Sequence, residues 1–209
     1  RAAVARASGP RAARPPPAWR SPPRPPPPGA PPAHPPGAPP TLPALRTGRA
    51  HRLAIDLSGL PQEQRAVLQA VRNIPAGQLR PLSWIAREAG GASPPSASDV
   101  LHALAANPVT VLIPCHRVTH DNGAPCDAAY LPETGEALRR AEHIDMRRVT
   151  ELSRAGAVFL GSDTTFIYCH PTCAHARRIT PGHRVHFRTP HDAHEAGYRA
   201  CKSCRPLTV

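Results

Sequence analysis

Asp163-Thr-Thr-Phe-Ile-Tyr-Cys-His-Pro-Thr-Cys173 and Ala196-Gly-Tyr-Arg-Ala-Cys-Lys-Ser-Cys-Arg-Pro206 place four cysteines in two close pairs. Cys169 and Cys173 are spaced Cys-x3-Cys, Cys201 and Cys204 are spaced Cys-x2-Cys, and 27 residues lie between the pairs. Each pair can clip two corners of a tetrahedral thiolate site while the intervening loop folds over the metal. Disulfides are the alternative use of the same cysteines. A nucleophile-like cysteine upstream and the lack of an apolar secretory core favour a reducing compartment, where zinc prevails. A unit of some 50 residues around Ala155–Pro206 has few core hydrophobes and needs such a staple. The spacing predicts zinc on Cys169, Cys173, Cys201 and Cys204, in the plainest reading as a structural knuckle. His170, His175, His183, His186, His191 and His194 are then read as surface residues, because four thiolates already satisfy a tetrahedral ion.

Working outward, the rest of the chain divides by composition. Residues 1–52 hold nine Arg and no acid, and 17 of the chain's 30 prolines fall in the first 45 residues. Proline fixes φ and removes donors, and no apolar residue recurs with a helix or strand period, so a disordered, polyproline-like tail is expected. The tail reads as inert, with an SH3-type ligand or a non-specific DNA tether as its functional alternatives. The chain opens on Arg1, so the natural start is expected to lie elsewhere. Beyond residue 52, 17 Lys and Arg face 14 acids, so the overall charge of +12 says little about nucleic acid. No apolar run is long enough to span a membrane. Aromatics are only 4% of the chain, so each core must be small and built on Leu, Val, Ile and Ala.

Order is expected from Leu53. Val67, Leu68, Val71 and Ile74 share one face of a helix from Pro61, stopped by Pro75. A second helix is expected over Ser83–Ala89, and a third from Ser98 as N-cap, carrying Val100, Leu101 and Leu104. Val109-Thr-Val-Leu-Ile113 reads as a short strand or extended run that delivers Pro114-Cys-His-Arg-Val118. A cysteine beside a histidine at such a point is a candidate nucleophile with its base. Glu142, on a helix expected over Thr134–Met146, is a candidate for orienting His116. Cys126 reads as unpaired and incidental.

Ile74-Pro-Ala-Gly-Gln-Leu-Arg-Pro-Leu-Ser-Trp-Ile-Ala-Arg-Glu-Ala-Gly90, then Ala103-Leu-Ala-Ala-Asn-Pro-Val-Thr-Val-Leu-Ile-Pro-Cys-His-Arg-Val118, resembles the active-site domain of the O6-alkylguanine-DNA alkyltransferases. The resemblance implies that Cys115 accepts an alkyl group from guanine, irreversibly. It makes His116 the base, acting through a water, with Glu142 orienting it and Asn107 positioning the nucleophile's loop. This sequence departs from the family at three places. Leu82 stands for a Tyr, and Ser98, followed by Asp99, stands for the recognition-helix Arg that helps flip the guanine. Cys126-Asp-Ala-Ala-Tyr130 replaces a Gly-Gly-Tyr word. Restoring Tyr and Arg at 82 and 98 is expected to raise guanine repair if the pocket is otherwise intact.

The cysteine-rich segment is similar to the Ada-type DNA-repair metal-binding domain. Thr164, Thr165, Tyr168, Cys169, Pro171, Cys173, Ala196, Gly197, Tyr198, Arg199, Cys201, Lys202, Cys204 and Pro206 carry that likeness. It implies that Cys169 takes a methyl from a DNA phosphotriester and that the lost negative charge raises DNA affinity. Ser98, Arg117, Arg177, Arg199 and Lys202 are the candidate DNA contacts, with Arg178, Arg184 and Arg205 as further phosphate contacts. The expected architecture is α+β: a disordered tail over 1–52, a helical, winged-helix-like alkyltransferase domain over 53–150, and a small zinc-stapled α/β domain over 151–209. The expected activity is stoichiometric methyl transfer to cysteine by a cytoplasmic, nucleoid-associated bacterial monomer. Its partner would be alkylated double-stranded DNA, its cofactor Zn2+, and no membrane would be involved. The alternative is a zinc-dependent DNA-binding or regulatory module whose alkyltransferase domain is inactive.

Overall fold

A computed structural model describes residues 53–90 and 93–206. The expected tail of 1–52 lies outside them. Helix α1 (Gln62–Arg72) buries Val67, Leu68 and Val71, and Ile74 completes its apolar face just before Pro75. Strand β1 (Arg80–Pro81) runs straight into α2 (Leu82–Gly90), which buries Leu82, Trp84 and Ile85. Helix α3 (Ala97–Ala105) adds Val100, Ala103 and Leu104. These three helices close one core with Ile113, Cys115, Val118 and Cys126, so Cys126 is a core residue.

The structure departs from the sequence pattern at two places. The N-cap of α3 is Ser96, not Ser98: Ser96 and Asp99 form a reciprocal capping box, with Asp99 N–H on Ser96 Oγ at 3.2 Å and Ser96 N–H on Asp99 Oδ2 at 3.0 Å. Pro94 and Pro95 keep the chain extended up to that point, and the acid three residues on selects the cap. The second is 109–113, which is a tight turn and no strand. The N–H groups of Leu112 and Ile113 both bond to Val109 O, at 3.0 and 2.9 Å. The segment winds around the Asn107 amide, whose Oδ1 accepts from Val109 N–H at 2.9 Å and whose Nδ2 donates to Ile113 O at 3.1 Å. A side chain that bonds its own neighbours competes with a ladder. The strand forms later, as β2 (Val118–Thr119), parallel to β1.

Helix α4 (Pro132–Ala141) ends sooner than expected. Glu142 is its C-cap, and His143 takes a positive φ of 57° that breaks the helix. Gly135 lets α4 approach the loop before it: a Cβ there would lie 2.1 Å from Asp127 Oδ1. Helix α5 (Met146–Arg154), capped by Asp145, leads into the cysteine-rich part.

That part is a four-stranded sheet in the order β5-β3-β4-β6. It comprises β3 (Phe159–Ser162), β4 (Ile167–Cys169), β5 (Arg184–Phe187) and β6 (Arg199–Ala200), with α6 (Pro190–Glu195) between the last two. Strand β3 is antiparallel to β4 and β5, and β4 is parallel to β6. Alternation sends neighbours to opposite faces. Leu160 and Cys169 join the other three cysteines on one side, and Phe159, Tyr168, Phe187 and Tyr198 pack on the other. Gly161 is required by that aromatic layer, since a Cβ would sit 2.6 Å from Phe187 and 2.7 Å from Tyr198.

The two cores meet along α2. Trp84 Nε1–H donates to Cys204 O at 3.1 Å and Arg205 O at 2.9 Å. Leu79 N–H donates to Thr172 Oγ1 at 2.8 Å. Among the described residues no helix is long and apolar enough to cross a membrane.

Candidate functional site

The turn that winds on Asn107 brings four of the sequence-derived candidates together. Cys115 and His116 occupy a short 3-10 turn (Cys115–Arg117) and are both buried. Asn107 Nδ2 donates to Cys115 Sγ at 3.0 Å. Burial nevertheless pushes the Cys115 thiol up to about 12, with the Asn107 contact opposing. At neutral pH this sulfur keeps its proton until a base removes it.

His116 Nε2 lies 3.0 Å from Glu142 Oε1. Glu142 also accepts from Gly77 N–H at 2.9 Å and from Arg117 Nε and Nη2 at 2.9 and 2.6 Å. Burial works against ionisation of Glu142, but the bonds from His116, Arg117 and Gly77 outweigh it and hold the carboxyl at about 2. An ionised carboxylate only accepts, so His116 Nε2 carries its proton and Nδ1 presents a lone pair. That Nδ1 is buried and makes no hydrogen bond to protein. Tyr130 packs edge-on to His116 at 6.0 Å, and its hydroxyl bonds to Thr110 O. The same turn is backed by Arg139, which holds Asp127 at 2.7 and 3.1 Å.

The candidate DNA contacts divide. Arg117 is committed to Glu142 and to Ile74 O, so its guanidinium serves the His116 network. Ser98 is exposed on the first turn of α3. Leu82 is 3% exposed and packed in the core, so a larger Tyr there would have to displace neighbours. Arg177, Arg199 and Lys202 are exposed. The Arg177 guanidinium lies over Gly77, with its nitrogens 3.7 Å from where a Cβ would stand.

The second constellation is the cysteine cluster. Sulfurs of Cys169, Cys173, Cys201 and Cys204 all lie within 4.8 Å of one another, and all four residues are buried. All four are free thiols. Ligands about 2.3 Å from a tetrahedral ion stand about 3.8 Å apart, so the set fits zinc with little adjustment. The sulfurs of Cys169, Cys173 and Cys204 hydrogen-bond to one another. Donation from Cys169 and then Cys204 holds Cys173 low, and the same bond pushes Cys169 up. Crowded thiols that cannot ionise together are what a divalent cation relieves.

Cys169 lies at a cleft of about 360 Å3 lined by Ser162, Thr164, Thr165, Arg178 and His183. Of the four cysteines it is the one that lines this cleft. Arg178, rather than Arg177, is the arginine at its rim. One histidine departs from the surface reading: His170 is 4% exposed, because it follows a ligand on the inner face and packs 5.4 Å from Phe159. Burial, aided by the charge of Arg80, depresses it to about 3 and keeps it neutral. Sequence reasoning also missed Arg80 and Trp84, which belong to one segment by sequence and touch the other only in three dimensions.

Residues 62–144 match the family model for "6-O-methylguanine DNA methyltransferase, DNA binding domain". Residues 147–206 match the one for "Metal binding domain of Ada". A methylated-DNA–protein-cysteine methyltransferase of Methanothermobacter thermautotrophicus is 44% identical over 69 residues, covering 33% of this chain and 37% of that protein. The protein of the same name in Salmonella typhimurium is 43% identical over 60 residues, 29% of this chain and 34% of that one. A probable methylated-DNA–protein-cysteine methyltransferase of Acanthamoeba polyphaga mimivirus is 39% identical over 70 residues, 34% and 45% of the two chains. The match thus spans between about a third and just under half of the length of these relatives. No solved structure matches. Residues 62–144 therefore belong with the DNA-binding domain of the 6-O-methylguanine DNA methyltransferases, and residues 147–206 with the metal-binding domain of Ada.

Proposed function

We propose that this protein repairs alkylated DNA by taking alkyl groups onto its own cysteines, a phosphotriester methyl on Cys169 and an O6-alkyl group of guanine on Cys115. The observation that carries the first assignment is the cleft at Cys169, rimmed by hydroxyls and a cation that suit a phosphate. Zinc, when bound, keeps the four sulfurs as thiolates and so supplies a nucleophile that needs no base. Thr164, Thr165 and Arg178 hold the phosphate oxygens. A Cys169 sulfur lone pair forms the S–C bond as the bond between the methyl carbon and the ester oxygen breaks, and the phosphodiester leaves with the bonding pair. No proton moves.

At Cys115 a proton must move first. His116 Nδ1, which has no protein partner, takes it from the thiol through a bridging water, and the Glu142 carboxylate supports the resulting imidazolium. The thiolate then takes the alkyl carbon, and the purine leaves through O6 as an anion that water protonates. Neither cysteine is regenerated, so the protein acts once at each. Exposed Ser98, Arg177, Arg199 and Lys202 are proposed to meet the duplex, whereas Arg117 serves Glu142.

The test is peptide mapping by mass spectrometry after the zinc-loaded protein meets methylated duplex DNA. One methyl on Cys169 is expected, none at that site in Cys169→Ser, and a second methyl on Cys115 where the duplex carries O6-methylguanine. Unmodified cysteines with zinc in place would overturn the repair reading. They would leave a zinc-dependent DNA-binding module with an inert Cys115, a reading favoured by the depth at which that thiol is buried.

Ser98→Arg offers a check on how α3 meets DNA. The site is exposed, and Asp99 beside it is engaged by the cap. One added phosphate contact should steepen the salt dependence of duplex binding by about one unit of log–log slope. Fluorescence anisotropy across a salt series measures this, and an unchanged slope argues against α3 at the DNA surface.

A further inference from the structure

We propose that Arg80, contributed by the segment of residues 62–144, is the counter-cation of the cysteine metal centre in the segment of residues 147–206. Arg80 is 2% exposed. Its Nη1 donates to Leu79 O at 2.7 Å and its Nη2 to Gln78 Oε1 at 2.8 Å, both neutral acceptors, while its Nε is buried with no hydrogen-bond partner. Among the described residues it makes no ion pair, whereas the similarly buried Arg139 has Asp127. A guanidinium stays charged at any working pH, and a buried charge needs an opposite one.

The surroundings point to the thiolates as that opposite charge. Leu79, the preceding residue, bonds Thr172, which sits beside Cys173. Trp84, whose ring lies 5.5 Å from the Arg80 guanidinium, bonds Cys204 O and Arg205 O. Leu79 and Trp84, on either side of Arg80, thereby bond one cysteine knuckle each. Burial pulls against its proton, and the attraction of all four sulfurs, Cys204 foremost, resists that pull. Four thiolates around Zn2+ leave a net charge near −2, which a fixed cation at this place offsets. The assignment rests on the metal set alone and not on alkyl transfer, so failure of the repair reading leaves it standing.

The experiment follows zinc transfer from the full, zinc-loaded chain to an excess of a colorimetric chelator. Arg80→Met keeps the aliphatic stem and removes the charge; it is expected to release zinc about tenfold faster, as for a charge contact of this size in a partly polar interior. Arg80→Lys keeps a charge but loses the two-pronged donor set, so its release rate should lie between those of the neutral variant and the parent. The thiolate-to-cobalt charge-transfer band of Co2+-loaded protein verifies that all four sulfurs still bind. Should Arg80→Met not fold, Arg80→Gln is the neutral variant compared with Arg80→Lys. Zinc release at the parental rate in the neutral variant overturns the proposal. So does equal acceleration in Arg80→Lys, which would mark Arg80 as packing alone.

Discussion

Stripping zinc with a chelator is expected to melt the sheet of residues 159–200 and to shift the emission of Trp84 to the red. The core on the cysteine face consists of Leu152, Ala157, Leu160 and Ala176 besides the four cysteines. Four modest apolar side chains cannot close that face against chain entropy, even with the aromatic layer of Phe159, Tyr168, Phe187 and Tyr198 on the other side of the sheet. Zinc in comparable small domains contributes on the order of 10–16 kcal/mol of apparent folding free energy, more than such a unit's whole stability. The optical signal follows because the Trp84 indole N–H is bonded to Cys204 O and Arg205 O, which belong to a metal-ligating knuckle. Trp19 is the other tryptophan, so the measurement is cleanest in a Trp19→Phe background. The helices of the first core should keep their far-ultraviolet signal, since their apolar face is closed by α1, α2 and α3. An apoprotein with unchanged emission and an unchanged melting curve would refute a metal-dependent fold.

Glu142→Gln should be the most damaging single change in the first core. One carboxylate accepts from His116, Arg117 and Gly77. The variant keeps the shape but leaves the 15%-exposed Arg117 side chain without its counter-charge. Breaking a largely buried pair on one side costs about 3–5 kcal/mol, which corresponds to a fall in Tm of about 10 °C for a chain of this length. Alkyl uptake at Cys115 should drop about 100-fold or more, because the imidazolium formed on proton transfer loses its anion. Cys169 lies in the other core, so its uptake should be unchanged and serves as the internal control.

The pH dependence has a definite sign. Glu142 has a folded value of about 2 against an ordinary value of 4.5. A carboxyl whose folded pKa is depressed contributes stability above its unfolded pKa and loses it as pH falls through the folded one. The parent's advantage over Glu142→Gln should therefore be full above about pH 5 and shrink toward pH 2, by at most about 3 kcal/mol for this one group. Acid release of zinc affects both proteins alike and cancels in the difference. A difference that stays constant across this window would mean that the carboxylate charge does not stabilise the fold.

Much of this was legible along the chain. The face of α1 follows from a 3.6-residue recurrence of Val67, Leu68, Val71 and Ile74. The metal set follows from the spacing of Cys169, Cys173, Cys201 and Cys204, because two clips and a loop are all a tetrahedral site requires. Both patterns are local, and local patterns survive whatever the rest of the chain does.

The misreadings share one cause: the deciding partner was distant or was a polar side chain. Val109–Ile113 has strand composition, yet the Asn107 amide winds it into a turn. Ser98 and Ser96 are equally good caps in isolation, and Asp99 together with Pro95 chooses between them. Arg117 looks like a phosphate contact until Glu142, 25 residues later, takes its guanidinium. His170 looks like surface until the sheet turns it inward against Phe159.

Residue order alone sets the helical faces, the four clustered sulfurs, and the adjacency of Cys115 and His116. Each depends on residue type at short separation. Tertiary packing alone brings Glu142 and Asn107 onto that pair, puts Cys169 at a cleft lined by hydroxyls and Arg178, and sets Leu79 and Trp84, on either side of Arg80, against the two cysteine knuckles. Those outcomes depend on which surfaces meet when apolar faces are buried, and no spacing along the chain encodes that geometry.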